Sequence, residues 1–178
     1  MTITNSTKYV TPVPKPSSVR LVPQLCLAAL RTKLDKELAI WYCLRATNKG
    51  GSGWLDTDIA IAALTGTFRY FIATAYRLLR SGPRQFWSYG DSSNSRIKIY
   101  GLRMVAEYFN VSCGWFFVQM PVGQFVGDGK DRVKRQRACF YAAFHKPEGM
   151  KATPMSREAI KEATGVPVRT QQRYYNSN

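Results

Sequence analysis

The sequence predicts a mainly helical α+β fold, in which small β-hairpins accompany two helical units that follow a mobile N-terminal arm. Three patterns indicate this class. Apolar residues recur every three or four positions between residues 24 and 47, which is the period of an amphipathic helix. Two β-prone runs flank "DSSN", which is typical of a hairpin. Near the C terminus, "REAIKEATG" and "VPVRTQQRYY" indicate two helices joined at Gly165.

The composition is that of a folded, strongly basic protein. The chain has 178 residues, of which 45% are hydrophobic and 13% aromatic, so it can bury the core of one medium domain or two small ones. Its 26 Lys and Arg residues outnumber 11 Asp and Glu residues and give a formal net charge of +15. Such a charge favours a polyanionic partner, which can be DNA, RNA or an acidic membrane surface.

The cysteines and the apolar runs indicate the compartment. The four cysteines form no C-x-x-C pair, and His145 is the only histidine that could supply a nitrogen ligand. We therefore expect reduced, buried thiols and neither a zinc site nor disulfides. The longest apolar run is interrupted by Pro121 and Gly123 and is shorter than the ~20 residues of a membrane span. These features predict a soluble cytoplasmic protein, associated with the nucleoid, that contacts no membrane.

The chain begins with a predicted arm over residues 1–23. This stretch is rich in Ser, Thr and Pro and has no hydrophobic period, and its Lys8, Lys15 and Arg20 could contact phosphates. From Gln24 to about Thr47 the apolar spacing predicts one helix, which "NKGGSG" ends.

The next elements are shorter. Trp54 and Leu55 predict a strand, "DIAIAAL" a helix, "TGT" a turn, and "FRYFIATAYRLLRSG" a third helix that stops at Gly82. After this helix, "RQFWSYG" and "SRIKIYG" predict the two strands of a hairpin.

The third helix has two contrasting faces. Helical spacing predicts that one face packs inward and consists of Phe68, Phe71, Ile72, Ala75, Leu78 and Leu79. The outward face then consists of Arg69, Tyr70, Ala73, Thr74, Arg77 and Arg80. Arginines separated by a small alanine suit a major groove, where arginine donates to guanine or phosphate. A solvated basic face is the alternative.

Residues 24–101 resemble the winged-helix family in the order of their elements. This resemblance implies a winged-helix domain whose third helix enters the major groove of DNA and whose hairpin, the wing, contacts the backbone. The implied DNA contacts include the outward face above, Thr67 in the preceding turn, and Asn94, Arg96 and Lys98 of the wing.

Residues 102–127 connect this domain to the rest of the chain. "LRMVAEYF" predicts a short helix, and the apolar "CGWFFVQMP" predicts a strand. The strand is either buried on both faces or is an edge strand that pairs with a second copy, which would give a homodimer through residues 113–126.

Residues 128–178 predict a second unit. Residues 130–144 form an amphipathic helix whose apolar side includes Val133, Ala138, Phe140, Tyr141 and Phe144, and whose first turns carry Lys134 and Arg135 among other cations. Ser156 is the expected N-cap of the following helix, and Gly165 the turn after it.

This C-terminal segment resembles a helix-turn-helix, which implies that Ile160, Ala163 and Val166 point inward and that a recognition helix starts near Val168. The implied DNA contacts are Arg169, Thr170, Gln172 and Arg173. One departure is Gln171, which stands where the family usually has an apolar residue. Either Val168 and Tyr174 supply the packing or the helix is rotated. "NSN" after Tyr175 is too short for a wing, so we expect a piece of a longer protein or a wingless unit.

Catalytic motifs are absent from the sequence. "GQFVGDGKD" fails the phosphate-loop spacing because Gly123 is one place too early and Asp131 replaces the hydroxyl residue. We therefore expect no enzyme, no cofactor and no metal.

The expected function is sequence-specific binding of double-stranded DNA by two such units. The layout resembles plasmid or phage replication initiators and also transcriptional regulators. The alternative is an RNA-binding or protein-bridging module that uses its aromatic residues for stacking or self-association.

Overall fold

The computed structural model describes residues 15–82, 84–90, 95–114, 116–127, 131–145 and 156–175. These residues are mainly helical with two small antiparallel sheets, which confirms the α+β class. The elements, in chain order, are β1 (Ser18–Leu21), α1 (Pro23–Thr32), α2 (Asp35–Thr47), β2 (Gly53–Asp56), α3 (Thr57–Ala62), a π-helical turn (Ala63–Thr67), α4 (Ile72–Ser81), β3 (Trp87–Tyr89), β4 (Arg96–Ile99), α5 (Leu102–Tyr108), β5 (Val118–Pro121), α6 (Val122–Val126), α7 (Arg132–His145), α8 (Arg157–Thr164) and α9 (Val168–Tyr175).

The first sheet pairs the two distant strands β1 and β5. Val19 lies opposite Met120, and both are buried. The next pair, Arg20 and Gln119, is exposed. The predicted arm over residues 1–23 is therefore wrong from Ser18 onward, because alternating burial on a paired strand fixes this part of the chain. Residues 1–14 lie outside the described residues.

Strand β5 is half-buried rather than buried on both faces. Val118 and Met120 are buried, while Gln119 and Pro121 are exposed. The predicted strand is confirmed, but burial of both its faces is wrong because one face meets solvent. Since β5 pairs with β1 of the same chain, a homodimer through residues 113–126 stays a prediction.

The predicted helix over residues 24–47 is two helices. Lys33 adopts a left-handed conformation with φ of 61°, and the Leu34 amide donates to the Ala29 carbonyl at 3.0 Å, so α1 ends there. The break separates α1, which packs on α7, from α2, which lies at the centre of the fold. Every residue from Leu38 to Leu44 in α2 is buried, as expected for a helix surrounded by other elements.

The second sheet has the strand order β2-β4-β3, with both pairs antiparallel. Strands β3 and β4 form the predicted hairpin, and β2 adds to the far edge of β4. The order helix, strand, helix, helix, hairpin is thus confirmed for residues 24–101, with the first helix divided and the third starting later. Residues 91–94 of the hairpin lie outside the described residues.

Among the residues that the structure describes, one hydrophobic core runs through both predicted units. It joins Trp41 and Leu44 of α2 to Phe140 of α7, and it extends to Ile160 of α8 and Tyr174 of α9. Helix α1 contacts both α7 and α8. The predicted boundaries near residues 101 and 128 therefore mark changes in the sequence pattern, and the core continues across them.

Candidate nucleic-acid interface

From Ala73 onward, α4 carries the contrasting faces that the sequence predicts. Ala75 and Leu79 are buried against the core, while Ala73, Arg77 and Arg80 are exposed. Thr74 is half-buried at the edge of the exposed face. The α4 basic face, defined here as Ala73, Thr74, Arg77 and Arg80, therefore forms as predicted.

The start of α4 differs from the prediction. The helix begins at Ile72 and not at Phe68, because Arg69 adopts a left-handed conformation with φ of 55° and the Tyr70 amide donates to the Leu64 carbonyl at 2.8 Å. Phe71 and Ile72, predicted to be core residues, are instead exposed by 79% and 63%. The prediction is wrong here because it extended the helical period through four residues that form a turn.

Tyr70 is a core residue and not a surface contact, which corrects its predicted role. Its ring is buried beneath the Arg132 guanidinium, whose central carbon lies 3.6 Å from the ring centroid. The Gln136 amide donates to its hydroxyl at 3.1 Å, and Arg132 also donates to the Arg69 carbonyl. Burial raises the pKa of Tyr70. Helix α7 thus fixes the turn that precedes α4.

A second basic group lies at Gly127, and we call it the Gly127 cluster; its members are Arg69, Gly127, Arg132 and Arg135. The Arg69 guanidinium donates to the Gly127 carbonyl at 3.1 Å, and the Arg135 side chain lies against Gly127. Lys134 pairs with Asp131 at 2.9 Å on the surface. The predicted contacts Arg69 and Arg135 come together at Gly127, although they lie on different predicted units, whereas Lys134 contacts Asp131. Buried Arg132 was in the charged run of the sequence, but its position could not be read from that run.

The hairpin carries exposed cations of its own. Arg96 and Lys98 of β4 are exposed, and they alternate with buried Ile97 and Ile99 as predicted. The Arg96 guanidinium lies 3.5 Å from an Asp56 carboxylate oxygen and over the Trp54 ring. The predicted contact Asn94 lies outside the described residues.

Arg80 of the α4 basic face lies near Tyr89 on β3 of the hairpin. Burial raises the pKa of Tyr89 on β3, and the positive charge of nearby Arg80 opposes this rise. Exposed Tyr76 of α4 also lies close enough to influence Tyr89. Thr67 is half-buried in the π-helical turn and, with Lys15 and Gly66, lines a small surface cavity.

Helices α8 and α9 form the predicted pair. The Ser156 hydroxyl accepts a hydrogen bond from the Ala159 amide at 3.1 Å, and Gly165 adopts φ of 69°, which confirms both the N-cap and the turn. Ile160 and Val166 are buried as predicted. The side chain of Ala163 lies outside the described residues. Val133 of α7 is 39% exposed, so its predicted place on the apolar side is wrong.

Gln171 occupies the inward position of α9. It is buried, and its amide nitrogen donates to the carbonyls of Arg157 and Val166, each at 2.9 Å, while its oxygen accepts from the Tyr141 hydroxyl at 3.4 Å. Because these hydrogen bonds replace apolar packing, α9 keeps Gln171 at its inward position and is not rotated to expose it. Tyr174 is buried and Val168 half-buried, as the first alternative requires.

The outward face of α9 is polar and basic. Arg169, Gln172 and Arg173 are exposed, and Thr170 is half-buried. The Arg157 guanidinium donates to the Gln172 side-chain oxygen at 2.6 Å. We call Arg169, Gln172 and Arg173 the α9 face. Helix α7 contacts α9 and also holds the turn before α4. One helix therefore supports both the α9 face and the α4 basic face.

Comparisons with protein-family models, curated proteins and solved structures give no match to this chain. Across the described residues, no helix has the length and apolar character needed to cross a membrane, and no group of three or more His, Cys, Asp or Glu side chains is arranged to hold a metal ion.

The cysteines differ in accessibility, which gives a first prediction. All are free thiols; Cys26, Cys43 and Cys139 are buried, but Cys113 is half-buried, which corrects the expectation that all would be buried. Burial raises the pKa of each thiol, that of Cys139 to about 12, so little reactive thiolate exists at pH 8. We expect Cys113 to react first with a disulfide reagent, followed by the others at the rate of unfolding.

Absorbance of the released thiol and mass spectrometry of the labelled sites would measure these rates. Cys113→Ser should remove the fast phase and leave the slow phase unchanged. A fast phase that persists in Cys113→Ser would show that the buried thiols are accessible.

Proposed function

We propose that this chain binds double-stranded DNA sequence-specifically through two units, a winged helix over residues 24–101 and a helix-turn-helix within residues 128–178. The observation that carries the proposal is the exposed α4 basic face, which adjoins a basic hairpin on a chain of net charge +15. We further propose a role in replication initiation or transcriptional regulation in the nucleoid.

The topology supports a winged helix in the first unit. A helix, a strand, two further helices and a hairpin occur in that order, and the strand pairs with the second hairpin strand. In a winged helix this arrangement presents the last helix to the major groove and the hairpin to the backbone. Arg77 and Arg80 would donate to guanine or phosphate, and Arg96 and Lys98 would contact phosphates.

Exposed apolar side chains support the same surface. Phe71, Ile72 and Tyr76 stand on the solvent side of α4 beside Arg77 and Arg80. Phe71 is 79% exposed, and apolar surface in water is unfavourable. A basic face that only meets solvent would not explain this exposure. Against DNA, such residues contact thymine methyl groups or insert between base steps.

The second unit is supported by the turn and by the inward Gln171. Gly165 permits the tight turn between α8 and α9, and Gln171 keeps the α9 face directed outward. In this orientation Gln172 suits adenine, and Arg169 and Arg173 suit guanine or phosphate. Because α7 supports both units, we propose that they contact groove segments about one helical turn, ~10 base pairs, apart.

The alternative function is binding of single-stranded RNA, and exposed Phe71 and Tyr76 are the observation that favours it. Aromatic rings beside arginines form stacking platforms for unpaired bases. Competition distinguishes the two functions: duplex DNA should displace a labelled duplex far better than single-stranded RNA of the same sequence does.

The test of the proposal is selection of binding sites from random duplexes by the full chain. We expect one enriched motif with two half-sites, and its position in the source genome separates the roles: repeats at an origin indicate an initiator, and a single promoter site indicates a regulator. An Arg77→Ala variant should lose enrichment of one half-site. A pool without any enriched motif would contradict sequence-specific binding.

The salt dependence of duplex binding gives a second prediction. If about six phosphates are neutralised, the logarithm of the affinity should fall against the logarithm of the salt concentration with a slope of about −5. The affinity then falls roughly 1000-fold between about 50 and 200 mM salt. Fluorescence anisotropy with a labelled duplex measures this slope, and a slope near zero would exclude a largely electrostatic interface.

A further inference from the structure

A large cavity in the described part of the chain lies away from the basic surfaces described above. It is an open cleft of about 1130 Å³ between β1, the C-terminal end of α2 with the turn after it, helix α5 and the segments 111–114 and 116–117. None of the side chains of the α4 basic face, the Gly127 cluster or the α9 face lines it. We call it the α2–α5 cleft.

The walls of the α2–α5 cleft are apolar. Val22, Ala106, Val111 and Phe116 contribute to the lining, and all are at least half-buried. Concave sites of several hundred cubic ångströms with apolar walls and a few polar groups are typical of small-molecule binding. Apolar walls alone define no ligand, so the charged lining decides which class fits.

The charged lining is strongly asymmetric. Four cationic side chains, Arg20, Arg45, Lys49 and Arg103, share the cleft with one carboxylate, Glu107. That carboxylate already accepts a hydrogen bond from Arg103 at 2.9 Å. The remaining positive charge therefore has no counter-charge within the lining, which favours an anion.

Arg45 is the least exposed of these cations. Its guanidinium lies 4.7 Å from the centroid of the Trp41 ring, and the Trp41 indole nitrogen is fixed by donating to the Tyr100 carbonyl at 3.0 Å. Among the described residues, Arg45 makes no hydrogen bond and no ion pair, although it is only partly exposed. Burial lowers its pKa. A guanidinium has five N–H donors, so an oxyanion beside Arg45 would satisfy donors that the protein leaves unused.

The turn after α2 leaves room for such an anion. Gly51 adopts φ of 68° and lies against the Arg45 guanidinium, where a Cβ atom would come within 3.3 Å of Nη2. Glycine at this position therefore keeps the approach to Arg45 open.

We propose that the α2–α5 cleft binds a small amphipathic anion, with its carboxylate or phosphate head on Arg45 and Lys49 and its apolar body against Val22, Ala106 and Phe116. This function is additional to DNA binding and does not depend on it. The concave apolar walls fit one compact molecule better than a duplex, whose charges lie on its outer surface.

The test uses anilinonaphthalene sulfonate, an amphipathic anion whose fluorescence rises in apolar sites. We expect saturable binding to the folded full chain, weakened about tenfold or more by Arg45→Met, which keeps the apolar stem over Trp41 and removes the charge. Lys36→Met is the matched control, because Lys36 is exposed on the same helix and lies outside the cleft. Near-ultraviolet circular dichroism establishes that each variant is folded.

Two further readouts keep the test decisive. Lys49→Met should also weaken binding, so the proposal can be judged if Arg45→Met does not fold. Because Cys113 lines the cleft, saturating dye should slow its reaction with a disulfide reagent. Displacement by octanoate or by octyl phosphate then identifies the preferred head group. Equal dye affinity in wild type, Arg45→Met and Lys49→Met, or unchanged labelling of Cys113, would overturn the proposal.

Discussion

Replacing Arg77 and Arg80 together by alanine is expected to weaken binding to the selected duplex by roughly 30-fold to 20,000-fold, because each arginine contact to a base edge contributes about 1–3 kcal/mol. Both side chains are exposed, while Ala75 and Leu79 on the opposite face hold α4 to the core, so the fold should be unaffected. Fluorescence anisotropy gives the affinity, and thermal unfolding shows that stability is retained.

The control for this variant must remove the same charge elsewhere. Lys36→Ala combined with Lys161→Ala does so at two exposed positions outside the proposed interface, and it should weaken binding only slightly.

Single variants separate two kinds of contact. Loss of a base contact relaxes the choice at one base pair, whereas loss of a phosphate contact weakens all sequences alike.

The α9 face has its own expected footprint. Arg169→Ala with Arg173→Ala should alter protection of a different half-site, about one helical turn from the half-site that Arg77 affects. If these changes leave both affinity and footprint as in the wild type while the protein stays folded, α8 and α9 are a structural hairpin and only the first unit contacts DNA.

Gly82→Ala is expected to lower the free energy of unfolding by about 2–3 kcal/mol and the melting temperature by roughly 5–10 °C. A Cβ atom on Gly82 would overlap the indole ring of Trp87. That ring cannot move aside, because it is 2% exposed, packs against Phe86 and donates to the Leu79 carbonyl at 3.0 Å. Gly82 has φ of −61°, so overlap and not backbone strain causes the effect. Chemical denaturation measures the change.

Gly90→Ala is the matched control for this prediction. A Cβ atom there would also overlap an indole ring, that of Trp54, but this ring is 45% exposed and can rotate into solvent. We expect a loss of under about 1 kcal/mol. Equal losses in the two variants would mean that exposure of the ring does not decide the cost.

Local signals were enough to predict the C-terminal helices. Ser156 caps α8 with its own hydroxyl, and Gly165 supplies the left-handed turn, so both ends of α8 depend on residues close in sequence. The place of Gln171 was harder to predict, because the partners that make its burial favourable include Arg157 and Tyr141, which lie on two other helices.

Distant contacts explain the errors near the candidate site. The periodic apolar residues from Phe68 onward predict a helix, but buried Arg132 holds the Arg69 carbonyl, 63 residues away, and the neighbouring Tyr70 in a turn. The late start of α4 then leaves Phe71 and Ile72 in solvent. Likewise Val19 and Leu21 form a strand only because residues 118–121, about a hundred positions later, pair with them.

The core that joins both units makes this protein indivisible. Proteins with separate cores can exchange their DNA-binding parts as cassettes during evolution, because each part folds by itself. Here α1 of the first unit packs on α7 and α8 of the second, so a transplanted half would carry an uncovered apolar helix face into water. Surface substitutions can therefore alter the α4 basic face and the α9 face separately, but the two surfaces are inherited together.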